Sequence, residues 1–292
     1  MKKSKKFITR VMWSLLKYLF SNTLYPSFVF LKTKRNFKKK NNQQRQFNKF
    51  STNLDKINEY EYKCTSQNNE DGIIEYIFRK IPNKKYFVEI GFGYYEFNSL
   101  NLIKNGWNGK LIDFDKDEII ALKKNLPYFY PNAKIDFINK KITKKNINET
   151  VFSDTFNKTI DFFSIDIDGN DYWVLKEMNL SNINVICCEF NPWIKNEKIA
   201  MRYDENFKFI DNGIFGSSLL GYTELLKTKG FSLIAVDSSG TNAFFIKNNF
   251  KDKFEILSPI TSYKFAGRFY STSKKKEIFE NVRSNLDKFI KI

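Results

Sequence analysis

From about Tyr60 onward, short apolar runs alternate with amphipathic stretches along the chain. Compact apolar runs that end at glycine, asparagine or acidic residues predict buried strands. The predicted strands are Tyr86–Ile90, Lys110–Phe114, Lys134–Asn139, Ile160–Ile167, Val185–Phe190, Ser232–Asp237 and Ala243–Lys247. The stretches between them have apolar residues at helical spacing, and the predicted helices are Asp71–Arg79, Asn98–Asn105, Lys116–Asn125, Tyr172–Met178 and Tyr222–Lys229.

Strands that alternate with helices favour a parallel sheet, because each helix returns the chain to the same edge through a right-handed crossover. The last two predicted strands flank the turn Ser238–Thr241, so a closing hairpin should make one edge strand antiparallel. The predicted fold class is α/β, with a Rossmann-like, mostly parallel seven-stranded sheet. Three parts are expected: a basic amphipathic segment and linker over 1–54, the α/β domain over 55–250, and a helical extension over 251–292.

The N-terminal segment Phe7–Leu31 is rich in apolar and aromatic residues, but Arg10, Lys17 and Pro26 interrupt it. A membrane-spanning helix is therefore disfavoured. An amphipathic helix lying at a membrane surface, followed by the basic run Lys32–Lys40, is one interpretation, with anionic lipid as the partner of residues 1–40. The equally weighted alternative is a solvated basic arm and a helix packed on the domain. The first interpretation places a cytoplasmic protein at the inner face of the membrane.

Charge and composition exclude several functions. The net charge is +17, but residues 1–50 hold 14 Lys/Arg and no acid, whereas the remainder holds 35 basic and 32 acidic residues. A nucleic-acid partner for the folded domain is therefore not favoured. The chain has no histidine, which excludes Ser-His-Asp and Cys-His catalysis and histidine-bound zinc. Three cysteines, two of them adjacent (Cys187 and Cys188), indicate core residues in a reducing cytoplasm.

The first predicted strand ends in a glycine-containing loop that includes Glu89, Gly91 and Gly93. In doubly wound sheets, ligands bind beyond the carboxyl ends of strands, and glycine lets the backbone approach them. Asp113 ends the second strand 24 residues after Glu89, near the spacing of the ribose-binding acid in Rossmann-type sites. Helix capping is the alternative role for acids here, and Asp115 or Asp117 is the expected cap. Tyr95 stands where a third glycine is expected, and its side chain would narrow the loop.

A second acidic group follows the fourth and fifth predicted strands. Asp166 and Asp168 alternate along a strand, so their side chains should point the same way, as a site acid or as Mg²⁺ ligands. The alternative is that Asp168 or Asp171 caps the following helix. Glu189 should face the same crevice as a base or a metal ligand.

Several blocks of the sequence, in order along residues 62–248, resemble the FkbM-like group of S-adenosylmethionine (SAM)-dependent methyltransferases. The blocks are Ser66-Gln67, Glu70–Ile73, Phe87–Gly91, Asn105–Gly109, Lys141–Thr143, Asn146–Asn148, Ser164–Trp173, Glu189–Asn191, Phe215–Leu219 and Asn242–Phe245. The Ser164–Trp173 block is the specific one. The resemblance implies a class I methyltransferase fold and O-methylation, commonly of a sugar hydroxyl in surface-polysaccharide biosynthesis.

On this resemblance, Glu89, Gly91 and Gly93 cradle the methionine part of SAM, and Asp113 holds the ribose. Asp166, Asp168 or Glu189 then orients or deprotonates the acceptor, with Mg²⁺ as an optional cofactor at Asp166 and Asp168. A small-molecule or glycan acceptor would enter over the loop Trp193–Ser218. Five aromatic residues of this loop either stack on a sugar or pack on the core: Trp193, Tyr203, Phe207, Phe209 and Phe215.

Two other functions remain open from the sequence. Asp166-Ile167-Asp168 is a DxD sequence that a metal-dependent glycosyltransferase would use to hold a nucleotide sugar, although the glycine loop and Asp113 argue against it. The other is a non-catalytic, membrane-associated binding module of the same fold.

Overall fold

The computed structural model describes residues 54–94, 96–153, 158–265 and 270–292. The predictions for the N-terminal segment and for Tyr95 lie outside these residues. Within them, no helix is both long and apolar enough to cross a bilayer.

A seven-stranded sheet forms the centre of the molecule, and a two-stranded sheet lies apart from it. The strands are β1 (Tyr86–Ile90), β2 (Asn108–Asp113), β3 (Ile135–Asn139), β4 (Ile160–Ile165), β5 (Ile183–Glu189), β6 (Ile199–Met201), β7 (Phe231–Val236), β8 (Asn242–Lys247) and β9 (Phe289–Lys291). The large sheet has the order β3-β2-β1-β4-β5-β8-β7, and β6 pairs with β9. The pairs from β3 to β5 are parallel, whereas β8 pairs antiparallel with both β5 and β7. The predicted fold class is confirmed, and β8 is the reversed strand beside edge strand β7.

Helices cover both faces of the large sheet. They are α1 (Glu70–Lys80), α2 (Leu100–Lys104), α3 (Lys116–Phe129), α4 (Ile147–Phe152), α5 (Asp171–Glu177), α6 (Leu219–Thr228) and α7 (Thr272–Ser284). Among the described residues, short 3₁₀ turns are Lys56–Tyr60, Asn248–Lys253 and Leu286–Lys288. One apolar core contains side chains of α4, α5 and α6, and the other contains side chains of α1, α2 and α3. Alternate residues of each strand face the two cores: Val88 lies in the first and Phe87 in the second.

The C-terminal residues pack against the rest of the structure. Residues 251–292, predicted to be helical, contain α7 and also β9. Ile278 and Val282 of α7 join a third apolar cluster with Trp193. Buried Lys264 forms an ion pair with Asp55 at 2.5 Å. These contacts join the chain after β8 to the start of the described structure.

Candidate functional site

The sheet topology brings the predicted site residues to one edge. The chain reverses its direction of travel across the sheet between β1 and β4, which is where doubly wound folds bind ligands. The strand register pairs Ile90 with both Ile112 and Ile165, and Ile165 with Cys188. The next residue on each strand belongs to the predicted site, and these residues therefore form one row: Asp113, Gly91, Asp166 and Glu189.

Gly91 packs tightly against the backbone of Asp166, its neighbour in this row. Its φ is +73°, and an added Cβ would lie 1.7 Å from the carbonyl oxygen of Asp166. Its N–H also donates to the carbonyl of Ile112 at 3.0 Å. Only glycine fits here, because any side chain would meet fixed backbone in a disfavoured conformation. Gly93 differs, since the nearest atom to an added Cβ would be 3.6 Å away.

A crevice of about 360 Å³ opens beside this loop. The predicted residues Glu89, Gly91, Gly93 and Asp166 line it. Polar side chains to which the sequence assigned no role line it too: Gln67, Glu96, Asn98 and Asn242. Gln67 and Asn242 belong to blocks that carry the FkbM-like resemblance, and this resemblance is the sequence feature that could have identified them as site residues. Asp113, Asp168 and Glu189 are not among the residues that line this crevice.

The carboxylate of Glu89 holds the start of helix α2. It accepts hydrogen bonds from the backbone N–H of Asn98 at 2.9 Å and of Ser99 at 2.8 Å, and from the Ser99 hydroxyl. Burial nevertheless raises the pKa of Glu89 to about 7, against the lowering effect of these bonds. Glu89 therefore shapes the wall of the crevice as well as facing it.

Asp113 connects the glycine loop to the end of β2. Its carboxylate accepts from the backbone N–H of Phe92 at 3.2 Å and of Asp115 at 2.7 Å. Burial raises its pKa. Phe114, the next residue, is 74% exposed. Asp115 caps helix α3 by accepting from the N–H groups of Asp117 and Glu118, as expected for one of the two candidate caps.

Asp166, Asp168 and Glu189 bring one carboxylate oxygen each to within 4.8 Å of one another. Asp166 and Glu189 are half-buried and share a hydrogen bond, and burial together with mutual repulsion raises the pKa of both well above the ordinary range. Burial and the charges of Asp171 and Asp113 raise the pKa of the more exposed Asp168 to about 6. The three acids suit proton transfer or cation binding.

Asp168 reaches this cluster through a turn, and not along a strand as predicted. Strand β4 ends at Ile165 rather than Ile167, so Asp166 and Asp168 do not alternate along a strand. Asp168 instead has φ +62°, in the left-handed region that non-glycine residues rarely occupy. The side chains still converge, but because of a turn.

Asp171 stabilises that turn. One of its carboxylate oxygens accepts from the N–H of Ile167 at 2.8 Å, and the other accepts from the N–H of Gly169 at 2.9 Å. The helix-cap alternative is wrong for Asp168, since Asn170 is the N-cap of α5. The role of Asp171 is structural, and its burial raises its pKa.

The loop over the site is mainly packed on the protein. Trp193 and Phe215 are buried in the third apolar cluster. The ring of Phe207 lies over Gly169, and Phe209 is 45% exposed. Cys187 and Cys188 are fully buried with raised pKa values, as expected for core residues.

No protein-family model matches the chain, and no curated protein matches it. Solved structures with a partly similar fold include a SAM-dependent methyltransferase from Clostridium acetobutylicum, at 9% identity over 61% of this chain and 90% of that chain, with a TM-score of 0.41. A TehB-like SAM-dependent methyltransferase from Corynebacterium glutamicum is 15% identical over 61% and 86% of the chains, with a TM-score of 0.34. StiE O-MT residues 961–1257 are 11% identical over 73% and 68%, with a TM-score of 0.35. Likenesses this distant carry no argument about activity, which rests on the site itself.

Proposed function

We propose that the chain is a SAM-dependent methyltransferase of the FkbM-like group that O-methylates a sugar hydroxyl in polysaccharide or glycan biosynthesis. The observation that carries the proposal is the crevice at the point where the strand order reverses, which Glu89, Gly91, Gly93 and Asp166 line. Doubly wound folds bind their ligands at this point. The crevice, of about 360 Å³, has the size of a small-molecule site.

The residues around the crevice fit the parts of SAM. The Asp113 carboxylate has about four lone-pair sites, and backbone N–H groups of Phe92, Phe114 and Asp115 act on it, so it can still accept from a ribose hydroxyl. Phe114 offers an exposed ring beside it for a flat base. Gly91 and Gly93 provide backbone close to the crevice, and Glu89 provides negative charge near a cationic ligand.

When bound, SAM supplies an electrophilic methyl carbon on its sulfonium. Bound SAM would give this methyl group to the acceptor oxygen and leave as S-adenosylhomocysteine, and a carboxylate of this chain would take the hydroxyl proton. Asp166 and Glu189 are suited to take it, because a raised pKa makes a carboxylate a stronger base. Positioning of the three reacting atoms supplies much of the acceleration.

The proposed acceptor side is the surface next to the turn that contains Asp168. Phe207 covers Gly169 there, and a second cleft of about 330 Å³ lies along Met201–Ile214. Exposed Arg202 and Lys208 line that cleft together with Phe207. Aromatic and basic side chains in one cleft suit a sugar that carries an anionic group.

The first experiment is calorimetry of SAM and S-adenosylhomocysteine with the wild type, Asp113→Asn and Asp136→Asn. Asp136 is an exposed carboxylate on β3 and serves as the matched control. We expect wild-type binding, unchanged binding by Asp136→Asn, and affinity at least about tenfold lower for Asp113→Asn, as for the loss of a charged hydrogen bond. A folded wild-type protein that binds neither compound would refute the proposal.

The three-carboxylate cluster also favours a second candidate, a metal-dependent glycosyltransferase with Asp166 and Asp168 as its DxD acids. Thermal shift separates the two functions, because a ligand of the native state raises its stability. A shift with a nucleotide sugar and Mn²⁺, and none with SAM, would favour the glycosyltransferase.

We also propose that residues 1–40 hold the protein at the inner face of an anionic membrane. The support is the basic and aromatic sequence of that segment. The full chain should sediment with phosphatidylserine vesicles and lose this property when residues 1–40 are removed. Equal sedimentation of the shortened chain would disprove the anchor.

A further inference from the structure

We propose that three amide side chains, those of Asn98, Asn242 and Gln67, bind the amino-acid end of the cofactor. The two asparagine oxygens accept from its ammonium group, and the glutamine amide donates to its carboxylate. The inference rests on the proposed methyl transfer and deepens it, because it names the residues that distinguish SAM from nucleosides without an amino-acid part.

The lining of the crevice suits a ligand that carries a positive charge. The acids Glu89, Glu96 and Asp166 line it, and none of the described residues that line it is a lysine or an arginine. Lys63 pairs with Glu96 at 2.8 Å, but no described lysine or arginine forms an ion pair with Glu89 or Asp166. An ammonium group is therefore attracted to this lining, whereas an anionic group needs hydrogen-bond donors there.

A buried carboxylate orients Asn242. This residue begins β8, is itself buried, and pairs with Glu189 of β5. Its Nδ2 donates to the carboxylate of fully buried Glu70 at 2.8 Å, and Glu70 also accepts from the backbone N–H of Asn68 at 2.7 Å. An ionised carboxylate only accepts, so the amide nitrogen of Asn242 must face Glu70 and Oδ1 must face away from it. Because Asn242 lines the crevice, Oδ1 is the atom that it offers to a ligand.

Asn98 is anchored through its nitrogen atoms in the same manner. Its backbone N–H donates to Glu89 at 2.9 Å, and its Nδ2 donates to the hydroxyl of Ser164 at 3.1 Å. Its Oδ1 accepts no hydrogen bond from the residues that the structure describes, and Asn98 also lines the crevice. The two asparagines thus offer two oxygens of fixed position, and an ammonium group has three donors to give them.

Gln67 reaches the crevice on a loop that the protein holds in place. One oxygen of buried Asp71 accepts from the backbone N–H groups of the three preceding loop residues, 64–66. Lys63 donates to the Gln67 carbonyl at 2.6 Å while it pairs with Glu96 on the crevice wall. The backbone of Gln67 is therefore fixed beside the crevice before any ligand binds.

The side chain of Gln67 supplies a donor for the carboxylate of an amino acid. It is exposed and forms no hydrogen bond with the described residues, so its amide donors are available. Since Lys63 is already paired with Glu96, a neutral amide is the donor that the lining offers.

A site with oriented polar groups rejects a ligand that leaves them unpaired. Methylthioadenosine has the nucleoside and the sulfur of the cofactor but lacks the ammonium and carboxylate groups. The proposed contacts therefore predict that the protein prefers S-adenosylhomocysteine to methylthioadenosine, and that this preference depends on the amide side chains.

The test is calorimetry of the full chain with these two compounds. We compare the wild type with Asn242→Ala, Gln67→Ala and the control Asn249→Ala, which alters an exposed asparagine just after β8. The wild type and the control should prefer S-adenosylhomocysteine by at least about 100-fold. Each of the other variants should bind S-adenosylhomocysteine at least about tenfold more weakly, as for the loss of a hydrogen bond to a charged group, and should bind methylthioadenosine as the wild type does.

Gln67→Ala keeps the test decisive if Asn242→Ala does not fold, because the exposed Gln67 side chain forms no hydrogen bond with the described residues. Equal wild-type affinity for the two compounds, or an equal loss of both in the variants, would overturn the subsite and leave methyl transfer standing. Unchanged binding of S-adenosylhomocysteine by Gln67→Ala, or by folded Asn242→Ala, would do the same. A folded wild type that binds neither compound would overturn methyl transfer and the subsite together.

Discussion

Replacing Gly91 with alanine tests whether the contact between β1 and β4 requires glycine. The added Cβ would lie 1.7 Å from the carbonyl oxygen of Asp166, at a residue with φ +73°. Both partners are backbone, so the strands must move apart. Gly106 is the matched control: it has φ +79°, but an added Cβ would meet no atom within 4 Å.

The magnitude follows from two contributions. The left-handed backbone costs an L-residue about 1–2 kcal/mol, and this applies at both glycines. At Gly91 the displacement also weakens two hydrogen bonds, from its own N–H to Ile112 at 3.0 Å and from the Asp166 N–H to Ile90 at 2.9 Å. Each is worth about 0.5–1.5 kcal/mol. The expected loss is about 2–5 kcal/mol for Gly91→Ala, against about 1–2 kcal/mol for Gly106→Ala.

Urea unfolding of the two variants and the wild type measures this difference. The gain from a less flexible unfolded chain is shared by both alanine variants and cancels. Calorimetry should also show that Gly106→Ala binds SAM normally and that Gly91→Ala does not. Equal free energies of unfolding for the two variants would refute the steric reasoning. Gly93→Ala, where space is open, should be close to neutral in stability.

Two further predictions concern buried charges. Lys264→Met leaves Asp55 without its partner in a buried ion pair and should lower the free energy of unfolding in urea by about 3–5 kcal/mol. The control Lys63→Met, at an exposed ion pair with Glu96, should lower it by less than about 1 kcal/mol, and similar losses for both variants would contradict this prediction. Glu89 should contribute a fall of about 2 kcal/mol in stability from pH 5.5 to pH 8, because its pKa rises from 4.5 to about 7 on folding, and Glu89→Gln should lack this part of the fall. The folded state then holds the proton more tightly, so its advantage is lost as the pH rises through 7, and an equal fall in the wild type and Glu89→Gln would contradict the assignment.

The strands and helices of the domain follow largely from local sequence. Strand β1 ends at Ile90 as predicted, and the hairpin of β7 and β8 surrounds the predicted turn. Each of these depends on the period of apolar residues and on the glycines and polar residues that end a run. Helix α4 and strands β6 and β9 were missed, because short elements carry too few periods to show a pattern.

Convergence of the site residues was predictable for a general reason. Parallel strands place their carboxyl ends at one edge, so acids and glycines that end successive strands must meet there. The individual roles were not predictable. Glu89 binds the N–H groups at the start of α2, and Asp171, rather than Asp168, holds the turn after β4.

The sequence by itself therefore determined the strand–helix alternation, the fold class and the edge at which the site lies, because these depend on short-range periodicity and on the handedness of crossovers. Only the tertiary structure decided which carboxylates remain available. A side chain's remaining hydrogen-bonding capacity depends on donors that are distant in sequence, as at Asp113, whose carboxylate accepts from Phe92 across 21 residues. The tertiary structure also decided that Asn242, far along the chain, lines the crevice, because strand β8 enters the sheet beside β5.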